Sequence, residues 1–336
     1  MSSCSRSGRR VKRRTFIALL GGIAVLPLAA SAQQAGKVYR IGILEIVPAA
    51  ANAANLDALR KGLSEAGYVE GHSFVIDYRS ADGHPERFAQ LAAELVRLQV
   101  DLIVTRGTPA VLAAKNATAT IPIVMAASGS PQRTGVVGGL ASPGGNVTGL
   151  SSVTTELVGK RVGLLRETVG GLTRVGLVPN MGNPIGASQW EEFRVATASL
   201  GIEAGLFDVR KLEDVAVAFD AAVAQRIQGL VVGNDTVMHA NRRHVVELAA
   251  KHRLPALYHS GEFVDAGGLM TYGVSYPDLY RRAAIFVAKI FKGAKPAALP
   301  VEQPTRFELV INLKAAKAID LDIPSMLLDR ADRVVE

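Results

Sequence analysis

The sequence predicts an α/β protein made of two similar blocks, each a doubly wound parallel sheet with helices on both faces. Short apolar, β-branched runs alternate with stretches whose apolar residues recur at helical spacing. After roughly 110 residues the alternation restarts in the same form. The chain of 336 residues, 49% hydrophobic and 20% charged, has room for two domains of about 150 residues each.

In order, Val38–Ile46 (VYRIGILEI) reads as a buried strand. Asn52–Ala66 reads as a helix carrying Leu56, Leu59 and Leu63, stopped by Gly67. Phe74–Tyr78 is a strand, and Pro85–Leu98 a helix with Phe88, Leu91, Leu95 and Leu98 on one face. Leu102–Thr105 is a strand. A third helix opens at Thr108-Pro109, Thr108 serving as its cap. Pro122–Ala127 is the fourth strand, and Ala141–Gly149 (ASPGGNVTG) reads as a crossing segment.

The second block predicts a helix at Glu156–Thr168, then a strand (Arg174–Pro179), a helix (Ser188–Leu200) and a strand (Ile202–Val209). A helix (Leu212–Gln225), a strand (Gly229–Gly233), a helix (Thr236–His252) and a strand (Leu254–His259) follow. The tail adds a strand (Leu269–Tyr272), a helix (Pro277–Lys292) and a Pro-rich stretch (Lys295–Pro304), and Phe307–Asn312 and Leu313–Ile319 complete it. So long a tail returns to the first domain and crosses once more to the second. The expected lobes are 36–148 plus about 264–298, and 149–263 plus about 299–336.

The formal charge of +8 is concentrated at one end. Arg6, Arg9, Arg10, Lys12, Arg13 and Arg14 precede any acid, and without these six the 38 basic residues become 32 against 30 acidic. The body is nearly neutral and carries no nucleic-acid signature. Arg13-Arg14 precedes an apolar run of 16 residues, TFIALLGGIAVLPLAA, which closes on Ala30-Ser31-Ala32. Basic start, short apolar run and small-x-small ending read as an export signal over residues 1–32, of twin-arginine-like type or, since Lys12 stands where that type has Ser or Thr, of the ordinary Sec type. The only cysteine, Cys4, precedes that run.

No nucleophile elbow, phosphate-binding loop or dinucleotide fingerprint is present. His239, His244 and His252 share one helix at spacings that do not make a metal site, and they read as solvated. No metal, cofactor or catalytic group is expected. What stands out is the strand C-terminal ends, where open α/β sheets bind ligands. They carry Glu45, Thr105, Thr108, Ser128 and Ser130 in the first block, and Asn180, Asp235, Thr236 and Tyr258 in the second. Thr108, Thr236, Asn180 and Asp235 read equally as helix caps or turn formers, and Tyr258 as a packed tyrosine.

Several stretches, in their order along the chain, resemble ABC-transporter substrate-binding proteins of the type I periplasmic-binding class, in the family that includes tryptophan- and phenylalanine-type binders. They are GLSEAGYVEG (62–71), GTPA (107–110), IPIV (121–124), PGGNVTG (143–149), EFVDAGGLM (262–270) and PVEQPTRFELVINLK (300–314). The resemblance implies two lobes joined by three crossing segments, a small-molecule ligand in the cleft and no catalysis. It also implies a periplasmic monomer that hands its solute to an inner-membrane ABC permease. The family's Ser-Asp-Pro turn after the fourth strand reads Ser128-Gly-Ser-Pro131 here; a ligand amine loses that acid, which counts against the family's amino-acid-like solute and leaves a carboxylated aromatic or other small organic acid. A ligand sensor paired with a signalling protein, and a secreted α/β enzyme, are the alternative readings. The first needs a DNA-binding or signalling element and the second a nucleophile–base pair, and neither stands in the sequence.

Overall fold

A computed structural model describes residues 37–336; the expected export signal lies outside the described residues. The first apolar run forms β1 (Tyr39–Glu45), whose last five residues are buried. Leu56, Leu59 and Leu63 turn inward from α1 (Ala53–Glu65). β2 (Phe74–Ser80), α2 (Phe88–Arg97), β3 (Leu102–Arg106), α3 (Thr108–Ala117) and β4 (Ile123–Ser128) follow in the expected order. A fifth strand, β5 (Val147–Ser151), pairs in parallel with β4 and completes the sheet order β2-β1-β3-β4-β5.

β5 corrects the reading of Ala141–Gly149 as a crossing, because the chain leaves the lobe only after Ser151. The glycine that hid the strand is required by it. Gly149 has φ +123°, and a Cβ there would lie 2.2 Å from the Met125 carbonyl oxygen. Gly149→Ala is therefore expected to cost about 2–6 kcal/mol through clash and backbone strain combined, read as a lower urea midpoint with an unchanged slope.

The second lobe begins with α4 (Val158–Thr168), β6 (Arg174–Val178), α5 (Gly186–Ser199), β7 (Glu203–Leu206), α6 (Leu212–Ala224) and β8 (Leu230–Val232). The predicted helix Thr236–His252 is two helices, α7 (Thr236–Ala240) and α8 (Arg242–Lys251), parted at Asn241. Its side-chain amide donates to the Val237 carbonyl at 2.9 Å, a local bond of the kind that competes with helix continuation. β9 (Ala256–Tyr258), α9 (Gly261–Asp265) and β10 (Met270–Gly273) come next.

α10 (Tyr276–Phe291) and the stretch that follows it as far as Glu302 then lie on the first lobe, where Leu279, Tyr280, Ala283 and Val287 share one apolar cluster with the α1 leucines. The expected returning segment 264–298 thus loses its leading part, since β10 extends the second sheet. β11 (Glu308–Asn312), α11 (Leu313–Ala318), α12 (Ser325–Leu328) and β12 (Arg333–Val335) end the chain. The second sheet runs β12-β11-β10-β9-β8-β6-β7. It is not wholly parallel, for β11 runs antiparallel to β10. The chain between them travels through the other lobe, so no right-handed crossover on this sheet forces them parallel.

Three segments cross between the lobes, and they are tied together. Arg161, on α4 and with no exposed surface, donates from Nη1 to the Thr154 carbonyl (3.0 Å) and from Nε to the Tyr272 carbonyl (2.8 Å), joining the first crossing to the second. The third runs beside β5: Ser151 N–H donates to Glu302 O at 2.8 Å and Glu302 N–H to Gly149 O at 2.9 Å. Apolar clusters fill both faces of each sheet, and both lobes belong to one compact unit, Val38–Glu336.

Candidate functional site

The C-terminal strand ends of the two sheets face each other across a polar cleft, as expected for open α/β sheets. At its centre is Arg106, the last residue of β3, 6% exposed. Its Nε lies 3.2 Å from Glu45 Oε1 in its own lobe. Across the cleft its Nη1 lies 3.3 Å from Glu262 Oε1, and its Nη2 is 2.8 Å from His239 Nε2. The guanidinium sits 4.7 Å from the centre of the Tyr276 ring. Burial works against the Arg106 charge, but Glu45 and Glu262 outweigh it and hold the guanidinium well above its ordinary pKa.

Arginine only donates, so His239 Nε2 must accept and its proton sits on Nδ1. Nδ1 faces Glu262 Oε2 at 3.3 Å, out of hydrogen-bond alignment. Burial first, then Arg106 and Arg242, push His239 well below the usual histidine range. His239 is therefore buried and neutral, not solvated. Glu45 also accepts from the Tyr280 hydroxyl and, at 3.1 Å, from Ile46 N–H.

On the second lobe Asp235 caps α7, its Oδ1 accepting from Val237 N–H at 2.7 Å. Its Oδ2 accepts from the amides of Asn180 (3.1 Å) and Asn183 (2.8 Å). Burial raises its carboxyl pKa, and these donors limit the rise. Asn234 donates to Thr154 Oγ1 at 2.7 Å, anchoring the cleft to the first crossing. Opposite, Gly107 (φ +86°) takes the cap position of α3 in place of Thr108. The Thr108 hydroxyl is then free to approach Ser128 Oγ at 3.2 Å. A Cβ on Gly107 would come 2.9 Å from Thr236 Cγ2 of the other lobe, which measures how closely the walls meet.

Of the nine residues singled out in the sequence, Thr108, Asp235 and Thr236 line the cavity. Three stand one layer behind it: Glu45 behind Arg106, Ser128 behind Thr108, and Asn180 behind Asp235. Ser130 donates to Glu156 Oε1 at 3.4 Å beside the first crossing. Thr105 and Tyr258 lie elsewhere. Thr105 donates to Leu44 O at 2.7 Å inside the sheet, and Tyr258 stacks on Phe263 at 4.7 Å in the core. Side chains alternate along a strand, so the next residues, Arg106 and His259, turn into the cleft. Tyr276 and Asn183 complete the polar lining unseen in the sequence. A charged residue ending the apolar run LIVTR was the available signal for Arg106.

Two parallel-sheet lobes joined by three crossings, with a polar cleft between their strand ends, define a solute-binding protein of the type I periplasmic-binding class. A family model described as ABC transporter substrate binding protein matches residues 40–335, and the chain belongs to that family. It is 26% identical to a tyrosine-binding protein of Clostridioides difficile, over 85% of this chain and 82% of that one. A conserved-domain protein from Vibrio cholerae is 30% identical, covering 89% of this chain and 100% of its own, with a TM-score of 0.82. An ABC domain from Streptococcus pneumonia, solved with L-Trp, is 26% identical at the same coverage and the same TM-score of 0.82. The chain is a binding protein, not an enzyme, and ABC substrate-binding proteins are extracytoplasmic. Among the described residues no helix is long and apolar enough to cross a membrane.

Proposed function

We propose that the chain is the periplasmic receptor of an ABC importer and binds an amino-acid-like or carboxylated aromatic solute between its lobes. The observation that carries this reading is the cleft itself, a ring of polar groups at opposed strand ends that both lobes supply. The tyrosine-binding relative and the L-Trp complex support the solute class. Export through residues 1–32 delivers the protein to the periplasm as a monomer, where an inner-membrane permease receives the solute. The lobes act as rigid bodies: the sheet of β1 to β5 with α10, and the sheet of β6 to β12.

The space enclosed here is about 30 Å³, whereas a cavity known to take up benzene has about 150 Å³. An aromatic solute therefore binds with the lobes further apart than in this arrangement, and its extra affinity for that form selects it. A thermal-shift screen of the purified protein tests the reading. Aromatic amino acids or aromatic acids at about 100 times Kd should stabilise it by about 2.7 kcal/mol, while sugars leave the melting temperature unmoved. A response confined to sugars, or to none of these solutes, overturns it.

A further inference from the structure

We infer that His259 is the group that takes the solute's carboxylate. The inference rests on the amino-acid-like reading above and assigns the solute's orientation within it.

His259 directly follows β9, lines the cavity and is 1% exposed. Neither ring nitrogen has a partner, and a buried polar group left unpaired costs free energy that a bound ligand would recover. Burial, followed by the nearby Arg161 charge, holds the ring well below the usual histidine range. The ring is therefore neutral and presents one N–H donor. Arg161 is fully buried, and its Nη2 is also unpartnered. Among the described residues no carboxylate lies within ion-pair distance of it; its Nη1 and Nε donate to the Thr154 and Tyr272 carbonyls. A buried cation without a counter-charge makes its surroundings favourable to an anion. Arg106, the other cation at the cleft, is already matched by Glu45 and Glu262.

The opposite pole lies on the neighbouring strand. β8 and β9 pair directly, and Asp235, just beyond β8, carries a charge held by amides and a backbone N–H and, among the described residues, by no cation. Asp235 and His259 follow these neighbouring strands and line the same cavity. The cleft is thus polarised for an α-amino acid, amino group toward Asp235 and carboxylate toward His259.

The test is His259→Phe, which keeps the ring volume and removes both nitrogens, measured by calorimetry with L-tyrosine, L-tryptophan and their carboxamides. Wild type should prefer the acids over the amides by at least about tenfold. The variant should lose about ten- to hundredfold for the acids and little for the amides. Its melting temperature without solute should hold or rise, since an unpaired polar group is gone. His259→Gln, which restores an N–H donor, should recover part of the acid affinity. Equal loss for acids and amides, or a fall in the solute-free melting temperature of His259→Phe, overturns the assignment. If wild type binds none of the four, the solute-class reading fails. The assignment is then judged on acetate alone: a shift of the His259 ring resonances upholds it, and no shift overturns it.

Discussion

Arg106→Ala should lower the unfolding free energy by about 3–5 kcal/mol, the size expected when one partner of a buried ion pair is removed. Glu45 has no exposed surface and would keep only the Tyr280 hydroxyl and a backbone N–H to hold its charge. The same change deletes the bonds that Arg106 makes to Glu262 and His239 across the cleft. The solute-free lobes should therefore also spread, seen as a larger radius of gyration in solution scattering. Urea unfolding supplies the stability figure. The double variant Arg106→Met with Glu45→Gln should recover most of the lost stability, because neither charge then remains buried alone, while the lobes stay spread. A single variant as stable as wild type would show that Arg106 does not neutralise Glu45.

Acidification provides the second large effect. His239 and His259 are neutral in the fold and held well below the usual histidine range, chiefly by burial. The unfolded chain takes up protons on both as pH falls through about 6.5, while the folded chain does not. Stability is therefore full above that pH and falls below it, by about 1.4 kcal/mol per pH unit for each ring and about 3 for the two together. Asp235 acts with the opposite sign. Its raised carboxyl pKa means the fold protonates it before the unfolded chain does, which offsets part of the loss at lower pH. Melting temperatures at pH 7.5, 6.5 and 5.5 measure the slope. His239→Gln and His259→Phe should each remove about half of it, and a flat profile in wild type would show the rings to be protonated or exposed.

Much of this architecture is legible in the sequence because it rests on short-range pattern. The buried end of β1 and the leucines of α1 announce themselves through the period of their apolar residues. β5 does not, because Gly149 breaks the pattern for the sake of a close approach to Met125 that only tertiary structure reveals. The site is less legible for the same reason. Its neighbourhood, the strand ends, follows from fold class. Which residue of a strand end faces the cleft depends on register, and one step separates Thr105 from Arg106 and Tyr258 from His259. The pairing of Glu45 with Arg106 joins two strands, and that of Arg106 with Glu262 joins two lobes; neither spacing leaves a mark in the chain. Asp235 was visible as an acid at a strand end, but its role as a cap shared with two asparagines needed coordinates.

Arg161 grips the crossings by main-chain oxygens alone, those of Thr154 and Tyr272. Every residue type supplies such an oxygen, so the fulcrum is blind to which side chains surround it. The polar groups at the strand ends can be exchanged for a different solute, while the tie at Arg161 stays the same.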